Sequence, residues 1–120
     1  MPVVDIQVVT DAEHTVPAGS AKAVATAMAT VLHAPSGHVW VRLEHLPVEQ
    51  YAENGPVEVL FPVFVKVLLA DLPPPDALAT QAASLAQAVA TCLNRRAEQV
   101  HIEYAPAGRG RVAFGGQLVR

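Results

Sequence analysis

Two stretches of the chain, PVVDIQVVTD (residues 2–11) and PVFVKVLLAD (residues 62–71), decide the fold. Each is an apolar run of mainly β-branched residues that starts with proline and breaks at aspartate, which is typical of a buried strand. Proline is tolerated at the first residue of a strand, because it has no N–H to donate to the ladder. The two stretches start 60 residues apart (62 − 2), so the chain contains an internal repeat.

A helix is predicted after each of these strands. The first begins near Pro17, since proline suits the first helical turn, and the second lies within residues 72–96. Asp76 is a candidate N-cap of the second helix, and Arg95 and Arg96 suit its C-terminal end. The predicted apolar stripes at helical spacing are Ala18, Ala21, Ala25, Met28 and Leu32 in the first helix, and Leu78, Ala82, Leu85, Val89 and Leu93 in the second.

An alternating strand follows each helix, HVWVRLE (38–44) and QVHIEYA (99–105). A strand, a helix of this length and a second strand indicate a βαβ unit. We therefore predict an α+β fold of two fused βαβ units, with a four-stranded mixed sheet and two helices on one face. The whole chain, 1–120, is predicted to be one domain with pseudo-repeats of about 2–61 and 62–120.

Composition excludes several classes of protein. The formal net charge is −3 and the eight Lys and Arg residues are scattered, which argues against a nucleic-acid partner. No apolar run reaches the ~18 residues of a membrane span. Cys92 is the only cysteine, so an intramolecular disulfide is excluded. These features predict a soluble cytoplasmic domain without membrane partners.

The helices cover one face of the predicted sheet, and the other face is left uncovered. Because 52% of the residues are apolar and few are charged, we expect this uncovered face to meet other subunits in an oligomer.

Pro2 is the candidate catalytic residue. If Met1 is removed, the ring nitrogen of Pro2 becomes a secondary amine at the chain terminus. An α-amino group has a pKa near ~7.7–8, and desolvation among Val and Phe side chains would lower it by disfavouring the cation. Such an amine suits general acid/base chemistry at neutral pH. Pro62 has a similar sequence setting, but its nitrogen is an amide and cannot be basic.

The residues resemble those of the tautomerase superfamily. LHAPSGHVWV (32–41) and GRVAFGGQL (110–118) are similar to 4-oxalocrotonate tautomerase, and QVHIEYAPAGRGRVAF (99–114) is similar to the group of macrophage migration inhibitory factor. The resemblance covers nearly the whole chain. It implies a homotrimer with the Pro2 amine at the base of a pocket between subunits. It further implies keto–enol tautomerisation of a small 2-oxo acid or enol without a cofactor.

The chain departs from the family pattern at the substrate-binding positions. Trp40 and His101 stand where 4-oxalocrotonate tautomerase has a substrate-binding arginine, and Ala34 stands at the pocket lysine of the inhibitory-factor group. The pocket tyrosine and asparagine of that group fall at His101 and Glu103. The apolar wall positions are occupied by Val65 and Val112.

Other cations could bind the substrate carboxylate. Arg42 has two interpretations: it binds the substrate carboxylate, or it is a surface residue that is solvated or paired with Glu44. Arg109 and Arg111 lie in a Gly-rich loop and either swing toward an anionic ligand or stay at the surface. Lys66 either reaches the pocket or lays its stem along the sheet with its head in water or near a carboxylate.

His101 and Glu103 have two interpretations that the sequence leaves equal. They form either a second acid–base pair or a hydrogen-bonded pair between subunits without catalytic duty. In the first case Glu103 near Pro2 would raise the pKa of the amine by favouring its cation.

The five histidines show no metal-ligand spacing with carboxylates or cysteines, so no metal site is predicted. Two functions remain open. One is a tautomerase, and the other is a non-catalytic or differently acting trimer of the same fold, such as a decarboxylase, a hydratase or a binding protein.

Overall fold

The chain is described by a computed structural model that covers residues 2–55 and 60–120. Its strands and helices, in chain order, are β1 (Val3–Thr10), α1 (Ser20–Leu32), β2 (Trp40–Pro47), β3 (Val63–Leu68), α2 (Pro75–Leu93), β4 (Val100–Tyr104), β5 (Ala113–Phe114) and β6 (Gln117–Leu118). One-turn 3₁₀ helices follow β2 (Val48–Gln50) and precede β4 (Ala97–Gln99).

Four strands form one mixed sheet in the order β2-β1-β3-β4. β1 is parallel to β2 and β3 is parallel to β4, while the two central strands β1 and β3 are antiparallel. Each parallel pair is joined through a helix, as a βαβ unit requires. The predicted α+β fold with a four-stranded mixed sheet is confirmed. β5 and β6 form a separate hairpin.

The hydrophobic core lies between one face of the sheet and both helices. The central strands alternate, so that every second residue of β1 and β3 is buried on this face. These side chains form one cluster with Val24 and Met28 of α1 and with Leu85, Val89 and Leu93 of α2. The predicted placement of both helices on one face is therefore confirmed.

The first helix begins later than predicted. Pro17 precedes it in a turn, where the backbone carbonyl of Pro17 accepts hydrogen bonds from the amide and the hydroxyl of Ser20. The intervening Gly19 has a φ of 77°, which ends the turn in a left-handed conformation. The buried stripe of α1 is Ser20, Val24 and Met28. Of the predicted stripe, Met28 is buried and Ala25 and Leu32 are partly buried, whereas Ala18 and Ala21 are exposed, so only its C-terminal part is confirmed.

The second helix matches its prediction better. Leu85, Val89 and Leu93 are buried as predicted, and Leu78 and Ala82 are partly buried. Asp76 lies in the first turn rather than at the N-cap, which is Pro74 and makes no side-chain cap. Because a carboxylate is favourable in the first turn, Asp76 still complements the helix dipole.

The uncovered face of the sheet carries the alternate residues of the four strands. The strand register brings Arg42, Asp5, Lys66 and Glu103 into one row, one residue from each strand in spatial order. Their charges alternate in sign across the sheet. Among the described helices, none is long and apolar enough to cross a bilayer.

Candidate active site

Pro2 lies directly before β1, at the end of the sheet where Val3 faces Trp40 on one side and Leu68 on the other. The backbone carbonyl of Pro2 accepts a hydrogen bond of 3.0 Å from the amide of Trp40. This bond extends the β1–β2 ladder by one step and holds Pro2 against the start of β2. Pro2 itself is partly exposed. Met1, on whose removal the predicted chemistry depends, lies outside the described residues.

The side chain of Trp40, whose amide is bonded to Pro2, makes two contacts of its own. The indole N–H donates a 3.1 Å hydrogen bond to the carbonyl of Gly37. The indole also meets the ring of Phe114 edge to face, with centroids 5.2 Å apart and an interplanar angle of 86°. Phe114 comes from β5, whose hairpin closes over Gly115 and Gly116 at φ values of 56° and 81°. Two successive positive φ angles favour glycine, so this turn presents Phe114 to Trp40.

Val112 lies at the same end of the sheet. It lines a small apolar cavity together with Leu68, Leu69, Ala70, Gly108, Phe114 and Val119. Gly108 packs so tightly here that an added Cβ would come within 3.1 Å of Val112 and 3.3 Å of Leu68. Since Leu68 is the register partner of Val3, the cavity adjoins the region of Pro2. Val112 thus lies in an apolar environment, and its role as a wall of the substrate pocket stays a prediction.

Val65 lies elsewhere. Its side chain points into the core between the sheet and the helices and is 1% exposed. Val65 also borders a groove on the opposite, uncovered face of the sheet, so its contact with substrate stays a prediction, while its side chain belongs to the core. The alternation of Val63, Val65 and Val67 on the buried face of β3 is the physical reason.

Arg42 is held by a different partner from the one considered in the sequence. Its Nε and Nη2 atoms donate to the Oδ1 and Oδ2 atoms of Asp5 at 2.5 and 2.8 Å, while Glu44 accepts from the amide of Gln7. Asp5 raises the pKa of the Arg42 guanidinium by hydrogen bonding and by its charge. Both side chains are largely exposed, so the pair contributes little to stability. The guanidinium fork of Arg42 is thus already bound by Asp5, and its contact with a substrate carboxylate stays a prediction.

Two of the other candidate cations, Arg109 and Lys66, also have carboxylate partners. Arg109 donates to the carboxylate of Asp71 and to the backbone carbonyl of Arg120. The pKa of Asp71 is lowered by this hydrogen bond. Lys66 runs along the uncovered face with its Nζ atom 3.9 Å from Glu103, as the simpler of its two interpretations predicted. Arg111 is exposed, and its amide donates to the carbonyl of Gly108.

His101 and Glu103 lie on the uncovered face but far from Pro2 of the same chain. Glu103 lies in the same row across the sheet as Asp5, on β4, which is separated from β1 by β3. With ~4.8 Å between strands and ~3.3 Å per residue, its Cα is roughly 14 Å from that of Pro2. His101 is two residues farther along, and its ring lies 5.6 Å from that of Phe64. Only the Pro2 of another copy could come close to these side chains.

A shallow groove of about 830 Å³ runs across the uncovered face. It is lined by the charged row and by the next row of Glu44, Gln7, Phe64 and His101. Within residues 2–55 and 60–120, His, Cys, Asp and Glu form no group of three or more that could hold a metal ion.

Sequence reasoning noticed Trp40 only as a departure from a family pattern. It missed Phe114 as the neighbour of Trp40 and Asp5 as the partner of Arg42. The sequence did contain one indication for Trp40. Apolar residues alternate in 38–44, which predicts that the Trp40 side chain lies on the sheet face away from the core. The contact between Trp40 and Phe114 joins residues 74 positions apart (114 − 40), and the contact between Asp5 and Arg42 joins residues 37 positions apart (42 − 5). No local sequence pattern reveals contacts at such separations.

Comparison with known proteins identifies the fold. A fused 4-OT, described as a wild-type symmetric trimer, is 21% identical, with 98% of this chain and 94% of that chain covered at a TM-score of 0.78. Macrophage migration inhibitory factor from Oncomelania hupensis is 20% identical, with 100% and 83% covered at a TM-score of 0.74. Pt0534, inactivated by 2-oxo-3-pentynoate, is 16% identical, with 98% and 94% covered at 0.75. No family model and no curated protein matches the sequence.

Proposed function

From the tautomerase-type fold, we propose that the chain is a tautomerase that moves a proton between carbon and oxygen of a small 2-oxo acid or its enol. The Pro2 amine acts as the general acid/base, after removal of Met1, in a homotrimer. The observation that carries the proposal is the position of Pro2, which starts a central strand of this fold with its carbonyl fixed by Trp40. We also propose a cytoplasmic location, since the lone cysteine offers no intramolecular disulfide.

The chemistry follows from the properties of the amine. A free α-amino group has a pKa of ~7.7–8. Trp40, Phe114 and Val112 make the nearby surface apolar, and an apolar environment lowers the pKa of an amine because it disfavours the cation. The neutral amine can then take a proton from the carbon next to the carbonyl, and the resulting ammonium returns it at the other end of the enol. No cofactor enters this reaction.

The test compares the parent with a variant in which leucine is inserted between Met1 and Pro2. In the parent we expect intact mass to show the loss of Met1 and the assay to show enolisation of phenylpyruvate or 2-hydroxymuconate. In the insertion variant the Pro2 nitrogen stays in a peptide bond, and turnover is expected to disappear. Pro2→Ala keeps a free but more mobile primary amine, so reduced turnover is expected. Equal turnover in the parent and the insertion variant would overturn the role of Pro2.

The inactivator of the similar protein Pt0534 provides a second readout. In 2-oxo-3-pentynoate the alkyne is conjugated with a carbonyl, so a neutral amine can add to it with no leaving group. We expect the parent to gain the mass of one inhibitor molecule on the peptide that contains Pro2, and the insertion variant to stay unlabelled. Pro62→Ala is the matched control, because Pro62 holds the same place in the second repeat but has an amide nitrogen, and it should label like the parent.

A second candidate is a non-catalytic or differently acting trimer, such as a decarboxylase, a hydratase or a binding protein. The observation that favours it is the engagement of Arg42 by Asp5 and of Arg109 by Asp71, which leaves the predicted carboxylate clamp occupied. A base without a substrate clamp loses the positioning that makes proton transfer fast. Labelling of Pro2 without any enolisation would favour this second candidate.

A further inference from the structure

The β5–β6 hairpin brings Phe114 to Trp40, but its own residues hold it in place only weakly. It forms a two-stranded sheet that is separate from the four-stranded sheet. None of residues 111–120 is fully buried, and the half-buried side chains among them are Val112, Phe114 and Val119. A two-stranded hairpin by itself is marginally stable in water. The position of Phe114 therefore depends on what fastens the hairpin to the rest of the chain.

Arg109 lies at the base of this hairpin and joins three segments. Its Nε atom donates a 2.8 Å hydrogen bond to Oδ1 of Asp71, and its Nη2 atom donates to Oδ2 of the same carboxylate. Its Nη1 atom donates to the backbone carbonyl of Arg120, which follows β6. Its backbone amide donates to the carbonyl of Ala70 at 3.0 Å. One residue thus connects the segment after β3 with both ends of the hairpin.

The pairing of Arg109 with Asp71 has a defined geometry and a modest strength. A planar guanidinium that donates two bonds to one carboxylate fixes direction as well as distance. The two side chains are 48% and 64% exposed, so the pair shifts an equilibrium by about fivefold at most. A contact of this strength hardly affects a buried core, but it is large enough to set the position of a marginally stable hairpin.

The hairpin in turn contacts the residues around Pro2. Phe114 meets the indole of Trp40 edge to face, and the amide of Trp40 donates to the carbonyl of Pro2. Val112 and Phe114 also line the small apolar cavity beside Leu68. A displacement at the base of the hairpin would therefore move the apolar side chains next to Pro2.

We propose that Arg109 is a positioning residue whose pairing with Asp71 holds the β5–β6 hairpin in place. The hairpin then keeps Phe114 and Val112 at the apolar side of the site around Pro2. This inference rests on the proposed function for the role of Pro2. It differs from direct binding of a substrate carboxylate by Arg109, because in that case Asp71 would compete with the substrate for the guanidinium.

The first test uses the fluorescence of Trp40, the chain's only tryptophan, in the full chain without ligand. Loss of the contact with Phe114 exposes more of the indole, so Phe114→Ala sets the acrylamide quenching constant of the free ring. Arg109→Gln and Asp71→Asn should each raise the quenching constant of the parent toward this value. Arg109→Lys keeps the charge but not the fork, and it should lie between the parent and Arg109→Gln.

Two comparisons identify the pair as the cause. The double variant Asp71→Asn/Arg109→Gln should be quenched no more than the stronger single variant, because each change removes the same contact. Arg111→Gln removes the same charge from an exposed side chain of the same loop, and its quenching should equal that of the parent. Parent-like quenching of Arg109→Gln would overturn the proposal. Additive increases in the double variant would also overturn it, since the two residues would then act independently.

The second test measures the enolisation of phenylpyruvate. Arg109→Gln and Asp71→Asn should both raise KM, by up to about fivefold, and change kcat less, because the pair acts through the hairpin and not on the reacting atoms. A lower KM in Asp71→Asn would overturn the proposal, because it would show that Asp71 competes with the substrate for Arg109. A loss confined to kcat would likewise contradict a positioning role.

Failure of this inference is distinguishable from failure of the proposed function. If the quenching constants respond as expected in a chain that does not enolise its substrate, the tautomerase proposal fails and the role of Arg109 in holding the hairpin remains. If the chain enolises phenylpyruvate while Arg109→Gln keeps the quenching of the parent, the tautomerase proposal remains and the role of Arg109 is wrong.

Discussion

Tyr51 and Tyr104 are the two tyrosines of the chain, and both have raised pKa values for different reasons. The phenol of Tyr51 donates a hydrogen bond to the carboxylate of Glu53, and this contact raises the pKa of Tyr51 to about 12. Burial raises the pKa of Tyr104, whose hydroxyl donates to Gln81 at 2.8 Å. The neutral phenol is thus the favoured form of both side chains in the folded chain.

This arrangement predicts a pH dependence. The pKa of Tyr51 in the folded chain lies above the unfolded value near 10. The contribution of the Tyr51–Glu53 contact to the stability of the fold is therefore complete below pH ~10 and is lost as the pH rises toward 12. In a spectrophotometric titration of the folded chain, we expect one phenol to ionise near pH 12. Glu53→Gln should bring that midpoint down toward 10 and leave the Tyr104 midpoint in place. Glu49→Gln, an exposed neighbour, is the control, and an equal shift in both variants would contradict the assignment to Glu53.

At the scale of elements, Arg95 joins segments that are distant in sequence. It follows the end of α2, where Asn94 adopts a left-handed conformation and the amide of Arg95 donates to Ala90. Its guanidinium donates hydrogen bonds to four backbone carbonyls. These belong to Val9 near the end of β1, to His14 and Thr15 in the following loop, and to Phe61 just before Pro62. Arg95 therefore ties the end of the second helix to both central strands.

We predict that Arg95→Lys lowers the free energy of unfolding by about 1.5–3 kcal/mol, because a single ammonium cannot satisfy carbonyls that a planar fork reaches together. Urea denaturation followed by circular dichroism measures this loss. Arg96→Lys is the matched control, since Arg96 is exposed and, among the described residues, its side chain is paired only with Glu98 at 3.7 Å. A change below about 0.5 kcal/mol is expected. Equal losses in the two variants would show that Arg95 is not an anchor.

At the scale of the whole molecule, the two βαβ units leave one face of the sheet uncovered. This face carries the exposed ring of Phe64 in addition to the charged row of Arg42, Asp5, Lys66 and Glu103. On β2, at one edge of the sheet, the row ends in a positive charge, and on β4, at the other edge, it ends in a negative charge. Copies arranged head to tail would bring unlike charges together, and such a contact forms a ring when the rotation between successive copies closes.

We therefore predict a homotrimer at micromolar concentration, measured by sedimentation velocity. Phe64→Glu places a charge in the middle of the uncovered face and should reduce the mass to that of the monomer, because burying an unpaired charge is costly. Ala83→Glu, on the exposed side of α2, is the matched control and should leave the trimer intact. A parent chain that sediments as a monomer would remove the shared pocket and, with it, most of the case for a tautomerase.

The sequence by itself determined the elements and the repeat. Apolar residues repeat every two positions in a strand and every 3.6 positions in a helix, and this repeat can be recognised within a single segment. The two βαβ units and the proline before the first strand were therefore predictable without coordinates. The start of α1 was misjudged because Pro17 suits a turn as well as a first helical turn, and the left-handed Gly19 decides between them.

Only the tertiary structure decided which side chains meet. The register of β1 against β2 pairs Arg42 with Asp5 instead of Glu44, and the hairpin brings Phe114 to Trp40 beside Pro2. The alternation of β3 places Val65 in the core, although its position in a family pattern suggested a pocket. The physical reason is that register and chain reversal are set by packing between segments far apart in sequence, and a shift of one residue would turn every side chain to the other face.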